Sequence, residues 1–163
     1  AATPCLQFGG DGSVRLDADN AVQPDALLRI DAACGGQSRV AADGFIEGAP
    51  ELVVEISGSS ASYDLHTKMH VYRRAGVCEY IVWRVYDRAL DWFVLEEGRY
   101  VAQTPDDQGV LSSCAFPGLR LPVAAMLDGK LADVLAAVQQ GVQTPDHAVF
   151  VKDIQSRNEF TGR

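Results

Sequence analysis

The sequence predicts a mixed β-sheet flanked by helices, in the α/β to α+β range. Three observations support this. The β-branched run Leu52-Val53-Val54-Glu55-Ile56, bounded by Pro50 and Gly58, reads as a buried strand. A helix-like run follows from Ser62 to Gly76, and a second strong strand from Cys78 to Tyr86. A strand–helix–strand step of this kind favours a right-handed crossover with parallel neighbours, and the hairpins beyond it make the sheet mixed.

The remaining elements follow in chain order, within one domain spanning 1–163. Residues 1–21 are rich in Gly, Asp and Ala and read mostly as loop, with Val14 to Leu16 a short edge strand. The first residue is not Met, which suggests a processed or truncated piece. Gln23 to Ile30 is a strand entered at Pro24, where a missing donor is tolerated. Alternation places Asp25, Leu27 and Arg29 on one face and Ala26, Leu28 and Ile30 on the other. A polar connection from Asp31 to Gly44 leads through Phe45-Ile46 to the central strand. In the helix, Ser59 to Ser62 supply caps, Asp64 suits the first turn, Arg73 and Arg74 the last, and Gly76 the stop. Asp87-Arg88-Ala89 turns the next strand into Leu90 to Leu95, and Tyr100-Val101-Ala102 extends the meander. Val110-Leu111 and Leu119 to Leu121 are short strands around Phe116-Pro117-Gly118. Asp128 caps a helix over Lys130 to Gln140 closed by Gly141, and Thr144-Pro145 opens a last helix to about Ile154. The polar stretch 155–163 reads as a frayed tail.

Composition narrows the function classes. Of the 163 residues, 47% are hydrophobic and 22% charged, ordinary for a soluble globular domain. No apolar run is long enough to span a bilayer, and no signal peptide is visible at the start. Cys5, Cys34, Cys78 and Cys114 lie far apart in no metal-ligand spacing, which fits free thiols in a reducing cytoplasm, with two disulfides as the alternative. A net charge of −8 argues against a general high-affinity DNA binder, because phosphate binding relies on Lys and Arg. It leaves room for a metal-dependent site whose own carboxylates raise the acidic count.

Two charges are out of place. Glu55 is a carboxylate inside an apolar strand, where an unpaired ion is costly. Lys68 shares the helical stripe of Leu65, Met69 and Tyr72, so it faces the sheet. Together they form either a site or a structural ion pair. If the strands are neighbours, Asp25 and Glu55 could hold a hard divalent cation, with Lys68 near the phosphate or the attacking water. Glu51 shares the face of Glu55 but lies about 13 Å along the strand, too far to join the same ion. His66 and His70 stand one helical turn apart with no acid between them and read as a solvated face, while His147 has no identifiable partner. Gly35-Gly36 lacks the rest of a phosphate-binding loop, and Ser57-Gly58-Ser59 is no nucleophile elbow. Tyr80, Trp83, Trp92 and Tyr100 suit a sheet core better than a base-stacking surface.

Several stretches, taken in order, resemble a known pattern: Gln23-Pro24-Asp25, Gly48 to Ser57, Tyr63-Asp64-Leu65 with Lys68 and Tyr72, and Ala75 to Tyr80. They resemble the Uma-two family of restriction endonucleases, within the PD-(D/E)xK nuclease superfamily, over residues 22–121. The resemblance implies a restriction-endonuclease-like mixed sheet with a divalent-metal site. It implies Asp25 and Glu55 as catalytic acids and metal ligands, Mg²⁺ or Mn²⁺ as the ion, and the Ile56 carbonyl as a further ligand. Ser57 stands where the superfamily motif has its lysine, and the resemblance moves that role to Lys68. The expected substrate is nucleic acid, first of all DNA, with no membrane partner and a possible homodimer. The competing expectation is an inactive nuclease fold kept for interaction or dimerisation.

Overall fold

The structure, a computed structural model, describes residues 3–10, 12–17, 20–58 and 64–161. A six-stranded sheet runs in the order β1 (Leu6–Gly10), β4 (Ala26–Ile30), β7 (Leu52–Ser57), β8 (Glu79–Arg84), β9 (Ala89–Glu96) and β10 (Arg99–Ala102). β7 and β8 are parallel, and every other pairing in this sheet is antiparallel. This is the expected mixed sheet. The parallel pair requires a crossover, which α1 (Met69–Ala75) provides before stopping at Gly76 in the left-handed conformation, φ 87°.

The strand β1 corrects the reading of 1–21 as mostly loop. It pairs residue for residue with β4, from Leu6 opposite Ile30 to Gly10 opposite Ala26. Its two glycines and exposed Phe8 hide the alternation that marks a strand. A small second sheet contains β2 (Val14–Arg15), β3 (Ala21–Val22), β5 (Arg39–Val40) and β6 (Ile46–Glu47). Val14 and Leu16 from this region pack with Leu27, Val53, Tyr72, Tyr80 and Val82 on one face of the main sheet. The other face packs Leu52, Ile81 and Trp92 against Leu111 of β11 (Val110–Ser112), Phe116 and Ile154. β11 pairs with β12 (Arg120–Pro122).

The C-terminal helices are α2 (Val123–Leu127), α3 (Leu131–Gly141) and α4 (Pro145–Thr161). The cap of α3 is Lys130 with no side-chain hydrogen bond, while Asp128 pairs with Arg88 and Lys130 instead. Gly141 is the last residue of α3; a Cβ there would meet the Gly118 carbonyl oxygen at 2.0 Å, so only glycine fits. α4 continues well past Ile154, so the tail does not begin where its polarity suggested. Ile154 itself is buried and anchors the helix. His147, expected to lack a partner, is buried and bonded to the Pro117 carbonyl at 2.7 Å and the Thr3 hydroxyl at 3.2 Å.

Cys5 and Cys34 form a disulfide, so the expectation of four free thiols fails for this pair. The pairing of β1 with β4 and the turn Ala32–Cys34 bring together residues 29 apart in sequence. The argument for a cytoplasmic location from scattered thiols loses its support at these two positions. Among the described residues no helix is long and apolar enough to cross a membrane.

Two buried glutamates staple the sheet to its surroundings. Glu51 accepts hydrogen bonds from the Ile30 and Gln37 backbone N–H groups, both at 2.8 Å. Glu79 accepts from the Cys114 and Ala115 N–H groups, the Ser113 hydroxyl and the Trp92 indole, at 2.6–3.2 Å. Burial pushes the Glu79 carboxyl above the ordinary range, and these donors, led by the Ala115 N–H, pull it back. Because the folded value is raised, its favourable contribution is complete below the unfolded range and fades as pH climbs through the folded value. Replacing Glu79 with Ala orphans buried donors, so we expect a loss of at least about 3 kcal/mol in thermal or denaturant melts. The gap between wild type and variant should narrow as pH rises from 5 to 8.

Candidate active site

Glu55 sits in β7 with its side chain on the face that α1 covers, and is only 2% exposed. Its neighbours on that face, Val53 and Ser57, are fully buried. A charge in this position needs partners, and the crossover supplies two. The Lys68 ammonium donates to Glu55 Oε2 at 2.7 Å, and the Tyr72 hydroxyl donates to Oε1 at 2.7 Å.

Local structure explains how both reach. The chain from Asp64 to Lys68 is a π-helical turn leading into α1, where a regular α-helix from Ser62 was expected. The expected facing of Lys68 toward the sheet holds across this turn, since Leu65 packs on the core and Lys68 reaches Glu55. The four-residue step from Lys68 to Tyr72 lies within α1 and does set both side chains on one face. The serine caps expected at Ser59 to Ser62 lie outside the described residues. Tyr72 is fully buried, and its ring lies 5.0 Å from that of Tyr80, which continues the packing to Phe93 and Tyr100.

Asp25 closes the group. The register pairs Ala26 with Val54, so one step further sets Asp25 opposite Glu55. Its carboxylate is exposed and accepts the Ile56 backbone N–H at 2.6 Å. Burial is the largest influence on Glu55 and pushes its carboxyl up. The hydrogen bonds from Lys68 and Tyr72 and the Lys68 charge oppose that rise, while the charge of Asp25 adds to it. Lys68 and Asp25 thus both act on the Glu55 carboxyl at one end of the parallel strand pair.

The structure thus brings together Asp25, Glu55 and Lys68, and it leaves the other polar candidates outside. Glu51 is tied up in backbone hydrogen bonds, and His66 and His70 are exposed on the helix. Tyr72 is the member that sequence reasoning missed, because a tyrosine in an apolar stripe reads as core. Its hydroxyl, one turn from Lys68, was the available signal.

Removing Lys68 should leave Glu55 buried without its cation. We expect Lys68→Met to be destabilised at neutral pH by about 3 kcal/mol. The deficit should shrink on acidification, because the orphaned acid then takes up a proton, and paired urea melts at pH 5 and pH 8 measure this. Tyr72→Phe, which loses one hydrogen bond and keeps the ring, should cost about 1 kcal/mol in the same melts.

No curated protein matches the chain. Among solved structures, it resembles one described as "a putative nuclease belonging to DUF820" from Anabaena variabilis. The TM-score is 0.56 at 12% identity, over 76% of this chain and 69% of that one, a likeness of fold. A family model described as "Putative restriction endonuclease" matches residues 2–124, so the chain belongs to the Uma2 family.

Proposed function

We propose that the protein is a divalent-metal-dependent endonuclease that hydrolyses phosphodiester bonds in nucleic acid. The observation that carries this reading is the meeting of buried Glu55, Lys68 and exposed Asp25 where β7 ends beside β8. Open sheets commonly carry their ligands outside the carboxyl ends of such strands. The family and the fold point the same way.

The donor set fits Mg²⁺ or Mn²⁺. Carboxylate oxygens are the hard ligands such ions prefer, and a cation between Asp25 and Glu55 would offset the burial that raises Glu55 and the smaller repulsion from Asp25. Asp25 and Glu55 would hold the ion, which when bound supplies charge neutralisation at the phosphate and an acidified water. The Lys68 charge opposes the rise of the Glu55 carboxyl, and its ammonium, with the side chain 27% exposed, can turn a donor toward a phosphate oxygen or the attacking water. Tyr72 holds the second oxygen of Glu55 and so fixes the direction of the carboxylate. With a net charge of −8, the ion and a few local contacts must supply the attraction for a polyanion.

A second reading has its own support. Both oxygens of Glu55 already have protein donors, and among the described residues no group of three His, Cys, Asp or Glu is placed to hold a metal ion. On this reading the chain is an inactive nuclease fold serving as an interaction or dimerisation module.

Plasmid nicking with Mg²⁺ separates the two. Glu55→Ala and Lys68→Ala should each lower the rate by about 100-fold or more. Titration calorimetry should show Mg²⁺ binding that Asp25→Asn abolishes. Equal nicking by all three proteins, or no metal binding at millimolar concentrations, favours the interaction module.

A further inference from the structure

The turn between β8 and β9 carries Tyr86, whose side chain is 80% exposed, the highest value of any large hydrophobic residue described. It stands at the same end of the sheet as the acids. Ser57 lies opposite Arg84, and the Val85 N–H donates to the Ser57 carbonyl at 2.9 Å, so the turn is fastened to the end of β7. The Tyr86 ring rests on Gly58, where an added Cβ would lie 3.5 Å from Tyr86 Cε2. Gly58 follows Glu55 by three residues, about 10 Å of extended chain.

The turn is braced. Arg84 pairs with Asp87 at 2.6 Å and Asp91 at 2.7 Å, and Arg88 pairs with Asp128 at 2.8 Å. Tyr86 belongs to neither core cluster, so packing does not account for a ring held on this support. An aromatic face can stack on any base and gains about 1–3 kcal/mol per base, an uncharged contribution beside the charged contacts such binders also use. In a chain of net charge −8 that uncharged share counts for more. Bases inside a duplex are already stacked on their neighbours, whereas unpaired bases are free to be splayed onto a side chain.

We propose that Tyr86 is a stacking platform for an unpaired base beside the candidate site of Asp25, Glu55 and Lys68, so that the substrate is single-stranded or locally unpaired nucleic acid. This inference rests on the nuclease reading for its substrate. Phe8 provides a control: it is 77% exposed, but it pairs with Leu28 and so lies on the opposite face of the sheet from Asp25.

The test is fluorescence anisotropy with a labelled single-stranded DNA oligonucleotide and its duplex, in Ca²⁺ to suppress cleavage. Wild type should bind the single strand more tightly than the duplex. Tyr86→Ala should weaken single-strand binding about ten-fold, while Tyr86→Phe and Phe8→Ala stay near wild type. Unchanged binding by Tyr86→Ala, an equal loss in Phe8→Ala, or a preference for duplex overturns the proposal. Nicking by Glu55→Ala, run alongside, tests the nuclease reading separately. If that variant cleaves normally while Tyr86→Ala still loses single-strand affinity, the catalytic assignment falls and the stacking surface stands.

Discussion

A carboxylate in the middle of an apolar sheet has to be neutralised, and the arrangement around β7 follows from that requirement. Glu55 is nearly inaccessible to water, so burial pushes its carboxyl up, and the bonds from Lys68 and Tyr72 oppose that rise. Both donors come from the crossover between β7 and β8. The segment that makes the sheet parallel is therefore also the segment that supplies the site. Changing one changes the other, which ties the candidate chemistry to the fold itself.

Among the described residues three buried acids lie in or beside the sheet, and they do different things. Glu51 and Glu79 accept hydrogen bonds largely from backbone N–H groups and hold loops against strand ends. Glu55 takes its bonds from side chains alone among those described, and one of them is a flexible, partly exposed lysine. Backbone donors are fixed by the fold, whereas a lysine can turn to another acceptor. That difference singles out Glu55 as the buried acid whose lysine partner can move away.

Much of this was legible in the residues. The run Leu52 to Ile56 and the hairpin after it have strong strand patterns; Leu52, Val53, Tyr80 and Val82 are buried as expected, while Ile56 is exposed. Glu55 and Lys68 stood out as charges in apolar patterns. Tyr72 did not, since its ring belongs in the core and only its hydroxyl belongs to the site. Strand β1 was hidden because Gly9, Gly10 and exposed Phe8 break the alternation, and its order depends on hydrogen bonds to β4. The Cys5–Cys34 bond was hidden for the same reason, since it needs that pairing to bring the two sulfurs together. The partners of His147 come from the Pro117 turn and Thr3, distant in the chain.

By itself the sequence determined which segments could be buried, and which charges would be costly there, because burial and periodicity are properties of the local chain. The tertiary structure alone decided which of those charges meet. Register placed Asp25 opposite Glu55, and the packing of the crossover on β7 brought Lys68 and Tyr72 to its carboxylate, because such contacts depend on how distant segments align in space.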